Sequence, residues 1–172
     1  MLRVVGLAWG LGGVLALLGF AVWRLAPLAL ELRGLPLSPL HWGALAFSVG
    51  YMAYAEGYKG FHLGFAPRVV VRAAYLWRNP GPGLVLLAPL FCMGFVHATR
   101  RRKLATIGLT LMIVCFIAIA RQLPQPWRGI LDAGVVVGLS IGVASILYFM
   151  AVAWDSPRRI DIPADTPETA GP

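Results

Sequence analysis

The densest group of reactive side chains in this sequence lies between Glu56 and His62, where Glu56, Tyr58, Lys59 and His62 fall within seven residues. Glu56 precedes Lys59 by three positions, the spacing at which a helix brings an acid and an amine together. Pro67 follows, then Arg68 and Arg72 on one helical face. An acid, a phenol, an imidazole and three cations at the end of an apolar segment make a candidate headgroup or ligand site. Phosphate is the natural ligand, since it accepts charge-assisted bonds from Lys and Arg. The same residues also read as an interfacial ion pair that ends a membrane segment, with the tyrosines in its aromatic belt.

Other chemistry is thinly represented. No two of His41, His62 and His97 stand three or four residues apart, so the sequence nominates no haem or metal ligands and no cofactor. Cys92 and Cys115 lie inside apolar runs without a Cys-x-x-Cys motif and read as small hydrophobes. Arg128 and Asp132 are four apart beside the loop 124–127, and Asp132 in a first turn suits the helix dipole. There is no His-Glu-x-x-His, Gly-x-Ser-x-Gly or phosphate-loop motif, and no catalytic residue is nominated.

The elements that position these groups follow from composition. Hydrophobic residues make up 59% of the 172, against roughly 45–50% in an ordinary soluble chain. A soluble domain of this size could not bury that much apolar surface, whereas a bilayer accepts an apolar exterior. The net charge of +8 would otherwise point to nucleic acid. Here the basic residues sit between and at the ends of apolar runs, where they anchor helices against anionic lipid, and no nucleic-acid partner is expected.

The sequence therefore predicts an all-α, polytopic integral membrane helix bundle over residues 1–154, with a disordered polar tail over 155–172. Five apolar segments are expected, at about 4–23, 39–65, 84–99, 104–123 and 129–154, plus a short interfacial amphipathic helix at 67–78. Segment one is read as retained, because its 20 residues exceed a signal-peptide core of roughly 7–15. Ser38-Pro39 is a helix start. From there to Phe65 the sequence predicts one continuous helix that turns at Pro67.

Small residues mark the expected contacts. In segment two Gly43, Ala46, Gly50, Ala53, Gly57, Gly60 and Gly64 alternate in steps of three and four, the period of a packed helix pair. An aromatic line, Phe47, Tyr51, Tyr54, Tyr58, Phe61 and Phe65, runs beside them. Gly134, Gly138 and Gly142 recur every fourth residue in segment five, with Ser145 beyond. Such stripes let membrane helices approach closely, so Gly43, Gly50, Gly57, Gly134, Gly138 and Gly142 are the expected packing positions.

Topology turns on segment three, which is short and contains Pro89. If it spans, basic residues divide seven against eight between the two sides. If it is re-entrant, they divide eleven against four, which the positive-inside rule prefers. Its unbroken apolarity favours five spans, with Glu56 to Asn79 opposite the basic run Arg100, Arg101, Arg102 and Lys103. The expected function is that of a non-enzymatic accessory factor or subunit in a bacterial cytoplasmic (inner) membrane, working through its packing seams. Its partners would be anionic lipid headgroups and a membrane protein or a second copy. The alternative is a small-solute or lipid transporter or pore component with its polar site at Glu56 and Lys59.

Overall fold

The computed structural model describes residues 1–96 and 100–155, so the tail 156–172 and His97 lie outside the described residues. Among the described residues all regular structure is helical. Two helices are long and apolar enough to cross a membrane, Leu2–Gly34 and Trp127–Asp155, with mean hydropathies of 2.0 and 2.3.

Helix α1 (Leu2–Leu30) outruns the expected segment one, continuing past Arg24 and through Pro27 before tightening into a 3-10 turn at Glu31–Gly34. Its far end is held in place from outside. Leu32 is buried against Gly129, and the Gln125 amide donates to Leu28 O at 3.4 Å and to Glu31 Oε2 at 2.8 Å.

Helix α2 (Pro39–Met52) starts at a reciprocal cap. The Ser38 hydroxyl accepts from the His41 amide at 3.4 Å, and the Ser38 amide donates to His41 Nδ1 at 3.3 Å. His41 thus takes the place of the Glu or Gln of an ordinary capping box. Beyond Met52 the chain stays helical but changes winding, forming a π-helix at Ala53–Phe65 that leads into α3 (Ala66–Arg78). Gly57, Gly60 and Gly64 weaken the α preference, and Pro67 removes a donor and crowds the preceding turn. Widening the turns relieves both, and the chain passes Pro67 without the expected turn.

The helix expected at 67–78 packs into the protein core. Ala66, Val69, Val70, Ala73 and Leu76 of α3 belong to the main core cluster, with Leu11, Val14 and Leu18 of α1 and Phe91, Cys92 and Ile146. Its amphipathic pattern has a different cause: the apolar face meets protein, and Arg72 turns inward with it.

Segment three is two short helices, α4 (Pro82–Leu86) and α5 (Ala88–Met93), broken at Leu87 just ahead of Pro89. Pro89 withholds the N–H that would bond Val85 O and its ring crowds that carbonyl, which interrupts the helix at Leu87. At Gly94, φ is +88° and a Schellman closure forms, with Gly94 N–H to Phe91 O and Phe95 N–H to Leu90 O, both 3.0 Å. Eleven helical residues reach about 17 Å, short of a hydrocarbon core of roughly 30 Å. Helix α6 (Arg100–Ala120) touches its neighbours only marginally. Helix α7 (Trp127–Asp155) runs through the centre.

The contacts fix the order of traversal. Gly6 of α1 faces Val85 and Leu76, and Gly13 faces Pro89, so the start of α4 shares an end of the bundle with Met1. At the opposite end Leu32 meets Gly129, and the His41 and Trp127 rings lie 5.0 Å apart. The start of α4 and the loop 124–127 therefore lie at opposite ends of the described helices, the loop beside Leu28 and Glu31. With Cys92 and Cys115 replaced by Ala, cysteines at Glu31 and Gln125 should form a disulfide under mild oxidation. Failure to crosslink, with cysteines at Met1 and Gln125 joining instead, would restore the five-traversal order.

Candidate functional site

The polar residues gather where α2 and the π-helix run parallel to α7. The glycines of α7 make room for them. A Cβ on Gly134 would strike Ser48, one on Gly138 would lie 3.2 Å from Glu56 Oε2, and one on Gly142 would lie 2.8 Å from the Phe61 ring. From the other side, a Cβ on Gly57 would meet Ile141 at 2.8 Å. Hydrogen bonds close the two ends of the seam: Ser48 Oγ donates to Ile130 O at 3.0 Å, and His62 Nδ1 lies 3.2 Å from Ser145 Oγ.

The steps from Ser48 to Met52 and on to Glu56 are four residues, but the next contact, Phe61, comes five later. That longer step belongs to the π-helix, whose i→i+5 bonding takes up roughly one more residue per turn than α. The expected alternation of three and four therefore fails in segment two. Gly57 faces α7, whereas an added Cβ on Gly43 or Gly50 meets nothing within 4 Å. These two glycines are not packing positions within the chain.

The proposed headgroup cluster divides in the same way. Glu56 and His62 turn into the seam, and Glu56 Oε2 is buried without a hydrogen-bond partner. Tyr58 and Lys59 face outward. The Lys59 ammonium lies 5.0 Å above the Tyr54 ring, so it does not pair with Glu56. Tyr54, Tyr58 and His62 stack in succession, with centroids 6.2 and 5.7 Å apart. Arg68 is half-buried beside Gly64.

Arg72 is buried rather than on a surface. It is 1% exposed, donates from Nε to Phe91 O at 2.6 Å and from Nη2 to Val96 O, and lies 4.1 Å over the Phe91 ring. Phe91 O, which also accepts from the Gly94 amide, and Val96 O just past α5 receive these charge-assisted bonds. Sequence spacing gave no sign of this, because the acceptors are backbone atoms 19 and 24 residues away.

Ser48 and Ser145 are the functional-looking residues that spacing undervalued; each is buried and bonded across the seam. The Ser145–His62 pair joins a hydroxyl to an imidazole, but Ser145 is enclosed between helices and the pair serves as a tie. Asp132 is buried and pairs with Arg128 at 3.7 Å. Among the described residues no group of three or more His, Cys, Asp or Glu side chains could hold a metal ion. Compared with known protein families, curated proteins and solved structures, the chain matches none.

The two cations of the expected cluster should therefore behave differently on removal. Arg72→Ala removes two hydrogen bonds made by a buried charged group, each worth about 1.5–3 kcal/mol, and should lower stability by about 3 kcal/mol or more. Lys59→Ala removes an exposed cation–π contact worth about 0.5–1 kcal/mol. Thermal unfolding of both variants in the same detergent checks this; equal midpoints would contradict the structural role of Arg72.

Proposed function

We propose that this chain is a multi-pass integral membrane protein acting as a non-enzymatic subunit or accessory factor, which offers the outward face of α2 to a helix of a partner. The observation that carries the reading is that face itself. Gly43 and Gly50 stand open, flanked by Phe47, Tyr51 and Tyr54, which are 72%, 57% and 57% exposed. Each glycine costs a helix about 1 kcal/mol relative to alanine, and neither is repaid by contact within the chain. Between membrane helices a glycine allows backbones to approach, and aromatic neighbours add contact area. Helix α6 supports the same reading, since Leu104, Leu111, Met112 and Ile119 are exposed and the helix makes few contacts among the described residues.

In this reading the chain crosses the bilayer four times, through α1, through α2 with the π-helix, through residues 82–120 taken together, and through α7. With segment three entering and leaving on the Met1 side, the sequence count of eleven basic residues against four favours a cytoplasmic Met1 end. The Gly-, Ala- and Arg-rich composition favours a bacterial cytoplasmic membrane.

A second reading, a transporter or pore component, draws on the buried, unpartnered carboxylate oxygen of Glu56 beside the π-helix, a winding that often marks functional sites. Co-purification in mild detergent separates the two. A stoichiometric partner should accompany the wild type and be lost from Gly50→Trp, while Gly19→Trp, at another open glycine of α1, retains it. A partner indifferent to Gly50→Trp would overturn the docking face. Solute flux in vesicles of the purified chain, abolished by Glu56→Gln, would establish the second reading instead.

A further inference from the structure

At the end of the bundle away from Met1, the chain leaves a groove of about 550 Å³ between the close of α1 and the start of α2. It arises from how the connection is made. The 3-10 turn directs Leu32 inward against Gly129, and the chain then runs extended through Leu35 to the Ser38 cap. Leu32, Leu35, Leu37, Trp42 and Leu45 give it apolar walls, and Arg33 is the charged residue in its lining. Its volume lies in the range of small-molecule sites, roughly 300–1,000 Å³.

The charges around the groove are unevenly satisfied. Glu31 is held by the Gln125 amide at 2.8 Å, and Asp132 is paired with Arg128 at 3.7 Å. Glu31 and Arg33 are two apart in sequence, so they do not face each other on a helical turn. Both acids nearest this end are thus engaged elsewhere, and among the described residues Arg33 makes no ion pair. Trp42, 60% exposed, opens onto the same groove, and tryptophan favours the level where headgroups meet acyl chains.

We infer that this groove binds an anionic phospholipid, with its phosphate on the Arg33 guanidinium and the upper part of an acyl chain along Leu35, Leu37 and Trp42. Guanidinium and phosphate match in geometry and form charge-assisted bonds. The tail gains little, since lipid outside the groove is equally apolar. Selection therefore falls on the headgroup. A zwitterionic lipid brings a quaternary ammonium close to Arg33 and loses part of the attraction. This site is separate from the Glu56 seam and rests on the membrane reading above.

The test is native mass spectrometry of the full chain in mild detergent, with phosphatidylglycerol and phosphatidylcholine of identical acyl chains. The wild type should retain the anionic lipid in preference by roughly fivefold, as expected for one basic contact near a membrane surface. Arg33→Gln should equalise the two lipids. Arg24→Gln, an exposed cation of α1 outside the groove lining, should keep the preference. A preference that survives Arg33→Gln, or that Arg24→Gln removes equally, overturns the site. So does a dimer that Arg33→Gln dissociates, because a second copy would then be the occupant. A chain that stays monodisperse without detergent would instead defeat the membrane reading itself.

Discussion

The structure depends on how closely α7 approaches α2 and the π-helix. Three glycines at spacings of four remove the side chains that would hold the helices apart, and Ser48, Glu56 and Phe61 occupy the space. The winding of the π-helix follows from this contact as much as from Pro67. A helix that must keep a glycine ladder in register from Ser48 to His62 can take up extra sequence only by widening its turns. Gly57, Gly60 and Gly64 make that widening affordable. The seam also sets the identity of the outward face, since the residues turned toward α7 determine which ones, Gly43, Gly50, Phe47 and Tyr51 among them, must turn away.

A second dependency runs through Arg72. Segment three breaks at Leu87 and ends at Gly94, and its last carbonyls face a buried cation. Arg72 reaches Phe91 O and Val96 O from α3, which ties the broken segment to the core cluster around Val69, Ala73 and Ile146. Val85 of α4 rests against Gly6 of α1, and Ala88, Pro89 and Cys92 of α5 rest against Gly10 and Gly13.

The features legible in the sequence are local ones. Ser38-Pro39 announces the start of α2, Asn79-Pro80-Gly81 marks the end of α3, and the four-residue spacing on α7 identifies its small-residue face. Those that escaped depend on distant partners. The alternation of three and four in segment two describes a seam only if every turn is α, and nothing local announces the π winding. Arg72 with Val69, Val70 and Ala73 has the composition of an interfacial helix; its burial is decided by backbone carbonyls in another segment. The extension of α1 past Pro27 is likewise secured from outside, by Gln125 and Gly129. The Glu56 to His62 cluster was visible as a group, but its division into inward and outward members was not, because that division follows the π register.

The seam and the outward face are two sides of one helix, so the proposed role as a docking subunit stands on the seam being where it is. The most direct measurement is a comparison of alanine substitutions by thermal unfolding in one detergent. Gly57→Ala and Gly142→Ala each place a Cβ within 2.8 Å of Ile141 or Phe61 and should cost about 1–3 kcal/mol through overpacking. Gly50→Ala meets open space and should be neutral or stabilising by up to about 1 kcal/mol. If all three variants unfold with the same midpoint, or Gly50→Ala proves the most damaging, α7 does not pack on α2 and the π-helix as described.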